Sequence, residues 1–148
     1  MTATYVRPDD GTHHRMIDGD HVAKATVEAA DPGFEVFVVH ASATPPAPQH
    51  VSPWSGVLYV LSGTVTVQSD GFTGDVGPGG AVVLPAGTSC TFHVAEGTAD
   101  FLAVTSGTGA GRFFAEMAST VPADRLDEEA FGAMAAVAAR HGVELAGV

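Results

Sequence analysis

The feature that most constrains this chain is a train of short apolar segments between Phe34 and Thr105, each closed by glycine or proline. Phe34–Ala41 is entered through Asp31-Pro32-Gly33, and Val57–Leu61 ends at Ser62-Gly63, from which Thr64–Gln68 turns back. Turns at Asp70-Gly71 and Gly77-Pro78-Gly79-Gly80 bracket Phe72–Asp75; Ala81–Leu84, Thr91–Val94 and Phe101–Thr105 follow. Short β-rich runs at regular spacing, with turn residues between them, predict an all-β fold, an antiparallel sandwich or barrel. Between the first two strands, Pro45, Pro46, Pro48 and Pro53 break up a loop and hold its backbone extended. The first 33 residues are less patterned. They contain turn signals at Asp9-Asp10-Gly11 and Asp18-Gly19-Asp20, and short strands are expected at Tyr5–Val6 and Val22–Val27.

The last third changes period. Arg112–Ala118 reads as a short helix carrying Phe113, Phe114 and Met117. A longer helix is expected from about Arg125 to His141, capped by Asp124 or Asp127 and stopped by Gly142. Phe131, Met134, Ala138 and His141 fall near one face, which predicts packing on the barrel or on a second subunit. The run Asp127-Glu128-Glu129 suits a helix N-terminus, where it complements the dipole. A single domain follows, with the barrel over about residues 5–105 and a helical segment over about 112–148.

Charge removes several function classes. Seventeen acidic residues against six basic ones give a formal charge of −11, which argues against nucleic acid and against anionic membrane surfaces. No apolar run approaches the roughly 18–20 residues that cross a bilayer. The polar Met1–Arg15 segment has no signal-like apolar core, so a cytoplasmic location is expected. The single cysteine, Cys90, excludes an internal disulfide and fits a reducing compartment.

Two blocks carry a family resemblance. The first is Pro45-Pro46-Ala47-Pro48-Gln49-His50 followed by Leu58-Tyr59-Val60-Leu61-Ser62-Gly63; the second is Gly79-Gly80-Ala81-Val82-Val83-Leu84-Pro85-Ala86-Gly87-Thr88. Together with the aromatic helix at Arg112-Phe113-Phe114 and the ending Arg140-His141-Gly142-Val143-Glu144, they resemble small bacterial cupins of the quercetin-dioxygenase-like group. The resemblance implies an antiparallel cupin barrel, or jelly roll, with a metal held inside by His-x-His, a glutamate and a later histidine. Here the glutamate position falls on Gly56. The two histidine positions fall on His50 and Ser52 in one register, or on Gln49 and Val51 in the other; the later histidine and asparagine positions are Cys90 and Val94.

A catalytic zinc or iron site needs about three protein ligands on one wall. The resemblance leaves His50 and Cys90, and only His40 is at hand to complete a fallback set of His40, His50 and Cys90 for a divalent transition metal. The expectation is therefore a site without a metal cofactor. On the first clear strand, Phe34, Val36, Val38 and His40 share one face, and Glu35 marks the other as solvated, so Val36, Val38 and His40 are expected to point inward.

The resulting interior is lined by Val36, Val38, Ser52, Trp54, Gly56, Leu58, Val60, Cys90, Phe92 and Phe101. It suits an apolar or aromatic small molecule, with His50 and His40 as candidate acid–base groups and Trp54 as a stacking wall. Cys90 reads as a small buried hydrophobe. His93 alternates away from the pocket, and His13 and His14 are expected in solvent or over the barrel mouth. Three function classes are compatible with this reading. They are a metal-independent cyclase, isomerase or dehydratase of secondary metabolism, a metal-dependent quercetinase-like dioxygenase with a rearranged ligand set, and a non-catalytic binding protein. The resemblance also implies a homodimer, with Phe37, Val39, Tyr59 and Leu61 as the outward apolar side chains needing cover.

Overall fold

A computed structural model describes residues 2–28 and 31–146; Gly147 and Val148, the end of the expected helical segment, lie outside them. The chain forms β1 (Thr12–Met16), β2 (Gly19–Val27), β3 (Phe34–Ser42), β4 (His50–Val51), β5 (Gly56–Ser62), β6 (Val65–Ser69), β7 (Phe72–Val76), β8 (Ala81–Leu84), β9 (Ser89–His93) and β10 (Thr98–Ser106). Two helices follow, α1 (Gly109–Thr120) and α2 (Glu128–Arg140), and a last short strand, β11 (Glu144–Leu145). Strand order is β1-β2-β3-β10-β5-β8 in a six-stranded sheet and β11-β4-β9-β6-β7 in a five-stranded one, and the pairings between these strands are antiparallel.

The inner faces of the two sheets share one core. Phe37, Val39, Leu58, Val60, Val82, Ala99 and Phe101 from the first sheet meet Val65, Val67 and Val76 from the second. A jelly-roll barrel of the expected class results. The strands expected from Val57 to Leu84 fall within a residue or two of the observed ones. Tyr5–Val6 lies outside any strand, and β1, β4 and β11 are additions. β4 is only two residues long because prolines crowd both of its ends and donate no backbone hydrogen bond to a ladder.

On β3 the faces are the reverse of the expected ones. Glu35, Phe37, Val39 and Ala41 are buried, whereas Phe34 and His40 are exposed and Val36 and Val38 half-buried. Glu35 is the physical reason. Its Oε1 accepts a hydrogen bond of 3.0 Å from the Gly111 backbone N–H in the first turn of α1. That turn contains no acidic residue of its own, and its N-cap, Thr108, makes no side-chain cap bond. A carboxylate from another element therefore meets the positive end of the helix. Gly111 is required for the approach, because a Cβ there would come within 2.4 Å of Glu35 Oε2.

The helices form a second core. Phe113, Met117 and Val121 pack with Ala130, Met134, Val137, Ala138 and Val143, and Met16, Ile17, Trp54 and Leu145 close against them. Asp127 caps α2 by accepting from the Ala130 N–H at 2.8 Å, and Gly142 ends the segment with φ +71°. No helix among the described residues is long and apolar enough to cross a membrane.

Candidate functional site

The barrel interior opens as two lobes that share His21, His50, Ser52, Trp54, Phe92 and Phe114. Their cavity volumes are about 110 Å³ and about 100 Å³. The first lobe lies against the helices and ends on Met16, Phe113, Met117, Met134 and Leu145. The second runs between β5 and β9 to Gly56, Leu58, Cys90, Phe101 and Thr105. Few polar groups interrupt either one.

His50 stands at the junction of the lobes. Its strand β4 is held on one side by β9, where His50 faces Cys90, and on the other by β11, where it faces Leu145. Burial pushes the His50 pKa below its ordinary value; nearby Asp18 and a hydrogen bond to the Pro48 backbone oppose that shift, and His21 adds to it. The neutral ring is favoured. Cys90 Sγ lies 3.9 Å from His50 Nε2, and burial pushes the thiol up to about 11, so it stays protonated near neutrality. Trp54 sits between the lobes and packs on Phe113, with ring centroids 5.7 Å apart.

Most of the residues expected at this site are brought together. His50, Ser52, Trp54, Gly56, Leu58, Cys90, Phe92 and Phe101 all line the second lobe. Val60 is fully buried in the core and is not among the lining residues of either lobe. Val36, Val38 and His40 lie on the outer face, a correction that follows from the burial of Glu35. His40 Nδ1 pairs with Asp100 Oδ1 at 2.7 Å, and its side chain is 53% exposed. The fallback metal set of His40, His50 and Cys90 is therefore not assembled, because two of its members face the interior and the third faces solvent.

The donors that remain do not fit the metal implied by the family resemblance. Ser52 and Gly56 offer no ligand comparable to an imidazole or carboxylate, and the Cys90 thiol holds its proton strongly. Among the described residues, no group of three or more His, Cys, Asp or Glu side chains is placed to hold an ion.

The sequence reading missed the opposite wall. His21, from β2, is 3% exposed and lines both lobes, with its ring 4.7 Å from that of Phe114. Asp18, in the β1–β2 turn, lines the first lobe. His14, cross-strand neighbour of His21, is buried and not solvated, whereas His13 is exposed and pairs with Asp20. The available signal was alternation: a strand begun at Gly19 places His21 and Ala23 on the face opposite Val22.

Residues 29–99 match the model of the EutQ-like cupin domain. No curated protein sequence matches the chain significantly. Among solved structures, the polyketide cyclase RemF from Streptomyces resistomycificus superposes with a TM-score of 0.59 at 24% identity, covering 72% of this chain and 81% of that one. KdgF from Halomonas sp. gives 0.61 at 18% identity, covering 71% and 95%. A cupin-superfamily sugar phosphate isomerase from Silicibacter pomeroyi gives 0.56 at 16% identity, covering 72% and 77%. At these identities the likeness is one of fold.

Proposed function

On the premise that this chain belongs to the cupin superfamily, we propose that it is a metal-independent enzyme of the cyclase, isomerase or dehydratase type. Its substrate is an apolar or aromatic small molecule, of the kind met in secondary metabolism. The observation that carries this reading is His50, a half-buried imidazole favoured in its neutral form at the junction of two apolar lobes. A neutral imidazole held away from water accepts a proton near neutral pH, and such general-base assistance accelerates a reaction by about a hundred- to ten-thousand-fold. That magnitude suits proton relocation in an already reactive compound. Trp54, Phe92 and Phe114 orient a flat substrate by stacking at the junction, and the helical wall excludes water. The fold neighbours with cyclase and isomerase names are in keeping with this chemistry.

The test is metal analysis of untagged protein purified without chelator, followed by turnover assays on bound aromatic compounds. Well under one equivalent of Zn, Fe, Mn, Ni or Cu is expected, with turnover unchanged by chelator. Stoichiometric metal would restore the dioxygenase reading through ligands other than His40. Binding without turnover would mark a non-catalytic binding protein.

The assembly proposed for this fold is a C₂ homodimer. Phe37 and Val39, expected to need cover, are instead core residues, but Tyr59 and Leu61 are exposed as expected. Val38, Leu102, Tyr59 and Ala81 form one row across the outer face, and Val36, Val104, Val57 and Val83 form another. A second copy laid on these rows by a two-fold axis buries them both. Light scattering at micromolar concentration is expected to give the mass of two chains, and a single-chain mass would refute the dimer.

A further inference from the structure

Two hydrogen-bond acceptors face each other in the wall of the first lobe. His21 Nδ1 lies 3.1 Å from the Gly19 carbonyl oxygen. A carbonyl only accepts, so Nδ1 carries the ring proton and donates it. In the neutral ring the other nitrogen, Nε2, is then an acceptor, and it stands 3.8 Å from Asp18 Oδ1. That distance is too long for a hydrogen bond. Asp18 Oδ1 is nevertheless buried, with no hydrogen-bond partner among the described residues. A buried carboxylate oxygen without a donor is costly, and the cost is removed when a donor arrives.

Both side chains are held in place from behind. The His21 ring is packed on Phe114, which in turn meets Phe37 edge-on at 4.9 Å. Asp18 precedes Gly19, whose φ of +141° few other residues adopt, and a Cβ on Gly19 would come within 3.1 Å of His40 O and Val39 Cγ1. The β1–β2 turn is thereby pressed onto β3, and the two acceptors keep their spacing.

We propose that Asp18 and His21 form the polar anchor of the cavity, a seat for a hydroxyl group on an aromatic or enolic ligand. The inference rests on the small-molecule reading above and adds the group by which that molecule is recognised. The ligand hydroxyl lies between Asp18 Oδ1 and His21 Nε2, and its one proton is donated to Asp18 Oδ1, supplying the donor that buried oxygen lacks.

The experiment compares two probes of nearly equal shape, a naphthol and its methyl ether, by titration calorimetry on the full chain. The naphthol is expected to bind about tenfold or more tightly, the increment of a hydrogen bond to a charged acceptor. In Asp18→Asn the charged acceptor is replaced by a neutral amide, so the preference is expected to fall below about twofold. Equal binding of both probes by the wild-type chain, or an undiminished preference in Asp18→Asn, overturns the anchor while leaving the aromatic cavity standing. Absence of binding by either probe at millimolar concentration overturns the cavity reading and the anchor together. The wild-type ratio decides the matter if Asp18→Asn fails to fold, with His21→Phe, which keeps the packing on Phe114, as the second variant.

Discussion

The two faces of strand β3 are close to equal in apolar content and opposite in fate. Glu35, Phe37 and Val39 point into the barrel, while Phe34, Val36 and Val38 face outward. Hydrophobicity alone would rank the outward set higher, since the inward one contains a carboxylate. The difference teaches that alternation divides a strand into two faces without saying which is inside. Here the decision belongs to a partner far away in sequence, the α1 N-terminus, which needs an anion and draws Glu35 beneath it.

The sharpest way to break this comparison is to truncate one side chain on each face. Phe37→Ala is expected to cost about 3–5 kcal/mol, as for large core truncations, and Val38→Ala well under half of that. Urea unfolding followed by circular dichroism measures both. Equal losses would mean that the faces are not distinguished by packing.

Next in size is Glu35→Ala, which leaves the Gly111 N–H without its acceptor and opens a space beneath α1. A loss of about 1.5–3 kcal/mol is expected, the range for a hydrogen bond to a charged group. Amide hydrogen exchange should show faster exchange in the first turn of α1 than elsewhere in the helix. Unchanged stability would show that Glu35 is a passenger on the inner face.

The same comparison extends to histidines. Once a substrate is known, His50→Ala is expected to lower kcat by about tenfold or more through lost proton transfer. Trp54→Ala is expected chiefly to raise KM, because stacking is present in ground and transition states alike. His40→Ala, in a solvent-exposed pair with Asp100, and Cys90→Ser should leave kcat within about twofold, the thiol being assigned to packing. Collapse in Cys90→Ser with full activity in His50→Ala would transfer the chemistry to the thiol.

The smallest effect concerns pH. The folded-state pKa of His50 lies below its ordinary value, because burial favours the neutral ring, and burial moves His14 the same way. The folded chain therefore binds fewer protons than the unfolded one across the ordinary histidine range, around 6.5, and stability falls as pH drops through it. Denaturation midpoints should be higher at pH 8 than at pH 5.5, with a shallower difference in His50→Gln. Glu116 behaves separately. Hydrogen bonds from Arg140 and His141 hold its pKa below the usual carboxylate value, so its contribution is present above that range and is lost as pH falls through and below it. A slope in the histidine range that His50→Gln leaves intact would assign the effect to His14 or another group.

Much of this molecule was legible in its residues for local reasons. Glycine and proline punctuation located β5 to β8, Asp127 and Gly142 bounded α2, and the spacing of the two cupin-like blocks put His50, Ser52, Gly56 and Cys90 around one interior. These are short-range properties: turn conformations, helix caps and side-chain alternation act over a few residues. What only the tertiary structure decided depends on contacts between distant segments. The β1–β2 hairpin, polar along the chain, turns Met16, Asp18 and His21 toward the cavity. The C-terminal helices supply the lobe's apolar end through Phe113, Met117 and Met134. The inside of β3 was set by the Glu35–Gly111 hydrogen bond across 76 positions. A period of two carries no sign, and the sign is supplied by whatever the completed fold packs on each face.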